Sequence, residues 1–132
     1  MASVLYDKGR EGFLDGSIDW DTDNIKALLV DTGTYTFNAA HDFKDDVSGI
    51  IATSGNLASK TVTSGVADAA DLTFSAVTGS SVEAIVLYKD SGVAGTSRLI
   101  AYIDTGTGLP VTPNGGDITV QWDNGANKIF KL

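Results

Sequence analysis

The chain holds one histidine, His41, followed directly by Asp42 in a polar stretch. A Ser-His-Asp hydrolase would need an activated serine within its reach, and no Gly-x-Ser-x-Gly elbow occurs. His41 is therefore read as a solvated loop residue. The run Asp19-x-Asp21-x-Asp23 has the opening of a calcium loop, but the sixth position is Asn24 where glycine is required. The twelfth is Val30 where the bidentate glutamate belongs, so a solvated acidic turn is the better reading. A glycosidase needs two facing carboxyl groups, and neither Glu11 nor Glu83 has an acidic partner at strand spacing. Asp104-Thr105-Gly106-Thr107-Gly108-Leu109 and Pro113-Asn114-Gly115-Gly116-Asp117 are rich in glycine but lack the lysine of a phosphate loop and precede no helical pattern, so they read as turns. There is no cysteine for a thiolate metal site or a disulfide. These residues predict no enzyme, no cofactor and no metal centre.

Composition narrows the partners. Nine basic residues against seventeen acidic ones give a net charge of −8, with no basic cluster. Binding to nucleic acid requires phosphate neutralisation, which this surface opposes. No apolar run is long enough to span a bilayer. The opening residues show no basic region leading into a hydrophobic one, so the expectation is a protein made in cytoplasm without a secretory signal.

The elements that must carry these residues are short. With 132 residues, 42% of them hydrophobic, the chain is expected to form a single domain over 1–132. Residues 3–15 predict a helix capped by Ser3, with Leu5, Tyr6, Gly9, Phe13 and Leu14 along one stripe and Gly16-Ser17 ending it. Gly9 and Gly12 each cost such a helix about 1 kcal/mol relative to alanine. It needs packing to persist, and an exposed arm over 1–17 is the competing reading.

From residue 18 onward the period is that of strands: 25–30, 50–53, 57–62, 72–76, 82–88, 98–103, 118–122 and 128–132. The runs 27–30, 84–87 and 99–103 are apolar at every position and belong in the middle of a sheet. The run 118–122 alternates, as a half-solvated strand does, which puts Trp122 in the core with Ile118 and Val120. The stretches 82–88 and 98–103 predict an antiparallel hairpin with a long loop. Residues 35–47 are irregular, with one helical turn near Asp42. Asp31-Thr32-Gly33-Thr34 and Asp104-Thr105-Gly106-Thr107 echo each other as turns. About eight short antiparallel strands make the expected fold mainly β, a single sandwich (a jelly roll being one form of it) with an N-terminal helix or arm.

Leu5, Tyr6, Phe13 and Trp20 lie outside the strand pattern. They are either core of the domain itself or anchors for a neighbour's groove, and the second reading makes them a candidate partner interface. On it, a chain deleted before Ile18 stays folded but loses its partner.

The strings Leu5-Tyr6-Asp7-Lys8-Gly9-Arg10-Glu11-Gly12-Phe13-Leu14, Ile18-Asp19-Trp20 and Ile25-Lys26-Ala27-Leu28-Leu29-Val30-Asp31-Thr32 resemble a family of small virion proteins of tailed bacteriophages. So do Ser97-Arg98-Leu99-Ile100-Ala101-Tyr102-Ile103-Asp104-Thr105, Leu109-Pro110-Val111-Thr112-Pro113-Asn114-Gly115-Gly116-Asp117 and Lys128-Ile129-Phe130-Lys131-Leu132. The likeness spans nearly the whole chain, although the loop after His41-Asp42-Phe43 is shorter here. It brings no catalytic motif. It implies a virion structural protein, foremost a capsid decoration protein clamping the major capsid protein of the outer shell, with a homo-oligomer such as a trimer following the shell's local symmetry. A tail or tail-tip component is the alternative it allows. A carbohydrate-binding attachment module with exposed aromatics is a further one, and a hydrolase using Glu83 and Asp104 comes last.

Overall fold

The computed structural model describes residues 4–104, 109–122 and 128–132. Ten strands and one helix follow in the order β1 (Val4–Leu5), α1 (Asp7–Asp15), β2 (Ile25–Val30), β3 (Ile50–Thr53), β4 (Thr61–Thr63), β5 (Val66–Asp68), β6 (Leu72–Phe74), β7 (Ala84–Lys89), β8 (Leu99–Ile103), β9 (Ile118–Val120) and β10 (Phe130–Lys131). All pair antiparallel, in a main sheet ordered β1-β8-β7-β2-β3 and two small ones, β10-β5-β4 and β6-β9. The protein is mainly β and sandwich-like, with the helix at its N-terminal side. No helix among the described residues is long and apolar enough to cross a membrane.

β2, β7 and β8 hold the middle of the main sheet, where both faces are covered, and this is why their sequences carry no polar alternation. Their side chains divide by strand parity. Ile25, Ala27, Leu29, Ile85 and Leu87 enter a core shared with Ala67, Phe74, Val120 and Phe130 of the small sheets. Leu28, Val30, Val86 and Tyr88 enter a second core, roofed by Tyr6, Tyr35, Phe37 and Val47. The irregular stretch 35–47, with its single 3-10 turn at Lys44–Asp46, is thus a lid over one sheet face. Trp122 is buried as expected, its indole N–H donating to the Ala70 carbonyl at 3.0 Å.

The sequence-based expectations need correcting at several places. The helix begins at Asp7, not Ser3, because Val4 and Leu5 extend along the sheet edge opposite Tyr102 and Ala101. Sheet pairing and the burial of Leu5 outweigh the helical spacing there; Ser3 itself lies outside the described residues. Of the run 57–62 only Thr61 and Val62 are strand, in a β4 that continues to Thr63, while Leu57 is buried with its N–H bonded to the Ile25 carbonyl at 2.8 Å. β5 was not expected at all. It follows Ser64 and Gly65, whose φ values of 53° and 76° make the two-residue turn suited to a tight hairpin. The turns expected at 105–107 and 123–127 lie outside the described residues.

α1 ends on Gly16 in the left-handed region and packs across β8. The register of β7 on β8 slips between Leu87, opposite Ala101, and Tyr88, opposite Leu99, leaving Ile100 as the extra residue of a bulge. The bulge turns the Ile100 carbonyl towards the helix, where it accepts the Tyr6 N–H at 3.0 Å.

Candidate functional site

Three of the four residues proposed as partner anchors are core. Leu5, Tyr6 and Trp20 are 6%, 0% and 4% exposed, so the N-terminal segment is no arm standing off the body. Their polar handles are satisfied internally. The Trp20 indole N–H donates to the Asp68 carbonyl at 3.1 Å, and the Tyr6 hydroxyl is 2.9 Å from that of Tyr35. Phe13 is half-buried and tilts against Phe130, with ring centroids 5.7 Å apart. Trp20 meets the same Phe130 edge-on at 5.2 Å.

These three rings form the floor of an open depression of about 390 Å³. Val62, Ala67 and Phe130, a cross-strand row of the sheet β10-β5-β4, line it together with Leu132, and Asp19 and Asp21 stand at its rim. Val62 and Leu132 are 57% and 61% exposed, so apolar surface continues outward from the depression. The two rim carboxyl groups interact with each other. Hydrogen bonds with Asp21 and then Thr22 hold Asp19 below the usual carboxylate range, and the contact with Asp19, with some burial, pushes Asp21 up. Two acidic side chains thus stand beside an apolar hollow. Such a hollow can receive a side chain.

His41 is not the solvated residue expected from its setting. Its Nδ1 lies 2.8 Å from the Tyr35 hydroxyl, which in turn reaches Tyr6, so a chain of three polar side chains runs from the buried face of the sheet to the lid. Burial raises both tyrosines above the ordinary phenol value, Tyr6 most strongly. Close by, carboxylate oxygens of Asp42, Asp45 and Asp46 fall within 4.8 Å of one another. Asp46 accepts the Asp42 N–H at 3.0 Å, and that bond is the first cause of its lowered pKa. The arrangement pins the lid. Sequence reasoning missed it because Tyr6 and Tyr35 are twenty-nine residues apart, and only the fold brings them together.

Asp23, Glu83 and Glu11 are each held by local partners. Asp23 accepts the Asp19 N–H at 2.7 Å and pairs with Lys89 at 3.1 Å, which folds the three-aspartate run back on itself in place of a calcium loop. Glu83 accepts the Thr32 N–H and hydroxyl at 3.0 and 3.1 Å and a hydrogen bond from Ser81. The Ser81 bond is the leading cause of a pKa below the usual glutamate range, the opposite of what a general acid requires. Glu11 pairs with Lys8 at 2.6 Å on the helix surface. All eleven aromatic residues are buried or half-buried.

Comparison with protein-family models and with curated proteins finds no match to this chain.

Proposed function

We propose that the protein is a structural component of a tailed-bacteriophage virion, a decoration protein seated on the outer capsid shell and held there by contacts with the major capsid protein. The observation that carries this reading is the acid-rimmed apolar depression formed by Phe13, Trp20, Phe130 and Val62, which has the chemistry of a subunit contact. Other features support it. The bacteriophage-like sequence strings run the length of the chain, the charge of −8 disfavours the packaged DNA as a partner, and the short strands bury their apolar residues in two cores. A clamp that repeats around a shell gains strength from multivalency, so each contact can be small. A trimeric assembly suits the local symmetry of such a shell.

The test is a copy count on purified particles, combined with labelling of the protein on intact virions. Hundreds of copies distributed over the head are expected. A few dozen copies or fewer at one end would move the protein to the tail or its tip, and absence from the particle would end the virion reading.

A further inference from the structure

The edge of the small sheet beside the depression is unguarded. β4 is the outer strand of β10-β5-β4, and among the described residues no strand pairs with its other side. Thr61, Val62 and Thr63 are all exposed, without the lysine, proline or bulge that usually blunts an open edge.

The register shows which groups face outward. A two-residue turn closes the hairpin, so the flanking pair Thr63 and Val66 exchanges both backbone hydrogen bonds. The next pair, Val62 and Ala67, is the alternate kind, which turns the Val62 N–H and C=O away from β5 to the open side. The Val62 side chain meanwhile lines the depression. A strand added along this edge would bond to the backbone of Val62. Its residue opposite Val62 would point its side chain to the same face, over Phe130 and Trp20. Residues two positions to either side share that face, which carries Asp19 and Asp21.

We propose that the β4 edge and the depression take an extended segment of another protein, which adds as a strand, places an apolar side chain opposite Val62, and sets a lysine or arginine against Asp19 and Asp21. Charge selects this occupant. Neither rim carboxylate forms an ion pair within the hydrogen-bonding range of a cation among the described residues, and the contact between them is relieved by an incoming positive charge. Lys60 is near Asp21, but its ammonium donates to the Asp23 carbonyl oxygen. A second copy of this chain would bring another net −8 to the same place. The inference deepens the reading of the depression as a docking surface, and it holds whichever particle the protein joins.

The experiment uses the full chain and a synthetic seven-residue peptide with a central phenylalanine, a lysine and an arginine two positions to either side, and threonine or valine elsewhere. Titration is followed by amide and aromatic NMR shifts. Shifts are expected at 61–63 and at the rings of Phe13, Trp20 and Phe130, with binding weakened about fivefold when both basic residues are replaced by glutamate. N-methylation of the central residue should abolish binding, and the Asp19→Asn/Asp21→Asn variant should erase the preference for the basic peptide. Absence of shifts, shifts centred on another sheet edge, equal affinity for the acidic peptide, or self-association of the chain through β4 would each overturn the proposal. The virion reading fails separately: a protein that takes the peptide but is missing from particles loses that reading and keeps this site.

Discussion

The Tyr6 amide donates to the Ile100 carbonyl at 3.0 Å, and the same oxygen faces Gly9 so closely that a β-carbon there would stand 2.7 Å from it. The bulge in β8, the strand end and the first turn of α1 therefore meet at one atom. Helix propensity alone favours alanine at position 9 by about 1 kcal/mol. The contact reverses that sign, because backbone on both sides leaves nothing soft to move. Gly9→Ala is expected to destabilise the fold by about 1–3 kcal/mol, as overpacking does. Urea unfolding checks it, with Leu14→Glu, at a position 88% exposed, as a near-neutral control on the same helix. A stabilised Gly9→Ala protein would mean that the helix does not pack on the bulge.

Glu83 gives a pH signature. Its carboxylate holds the Asp31–Thr34 turn through Thr32, and its folded pKa lies below the ordinary value of 4.5, with the Ser81 hydrogen bond as first cause. A depressed carboxylate pKa contributes stability that is present above the unfolded value and is lost as pH falls through the folded one. Glu83→Gln is expected to cost about 1 kcal/mol at neutral pH. It should also flatten the fall in stability that the parent shows below pH 4.5, read from melting temperatures across a pH series. A parent and variant with parallel pH profiles would remove Glu83 from the turn's support.

At the alkaline end the tyrosines reverse the sign. Burial raises the Tyr6 phenol strongly and pushes Tyr88 up to about 12, so their contribution is complete below the ordinary value of 10 and fades as pH rises through it. Absorbance at the phenolate band is expected to show at least these two tyrosines ionising late, in step with unfolding. Tyr35→Phe removes the hydroxyl between Tyr6 and His41 and leaves both without their partner, at a cost of about 1–3 kcal/mol. Comparing the Tyr6→Phe, Tyr35→Phe and double variants should give non-additive losses; strictly additive losses would mean that the chain of hydroxyls is not coupled.

How much of this was legible in the sequence depends on length and parity. β2, β7 and β8 run five or six residues with every position buried or nearly so, and a continuous apolar run of that length has few other homes. β1 and β5 are two and three residues long, too short to carry a period, and they exist because a neighbouring strand offers its edge. The depression was half-visible. Phe13 and Trp20 stood out as aromatics near the N-terminus, but Phe130 and Val62 complete the site from strands more than forty residues away. Whether an aromatic anchors its own core or a partner depends on what covers it, and spacing does not encode that. Tyr6 shows this most plainly, since its ring is fully buried under Phe37 at 5.1 Å.

That burial changes what truncation should do. An exposed arm could be removed without harm to the domain, but residues 1–17 contain β1, all of α1, and the buried Leu5 and Tyr6. Each such side chain contributes about 1.5–3 kcal/mol by burial. The deletion also strips the edge of β8 and exposes the Ile100 bulge and one end of the second core. Against a total stability of about 5–15 kcal/mol for a domain, the loss is decisive. A chain beginning at Ile18 is expected to lack a cooperative melting transition and the near-ultraviolet signal of packed tyrosines. The milder Phe13→Ser variant should keep both, since Phe13 is only half-buried, while changing the surface of the depression. A deleted chain that melts cooperatively at the parent's temperature would return the N-terminal segment to the status of an appendage.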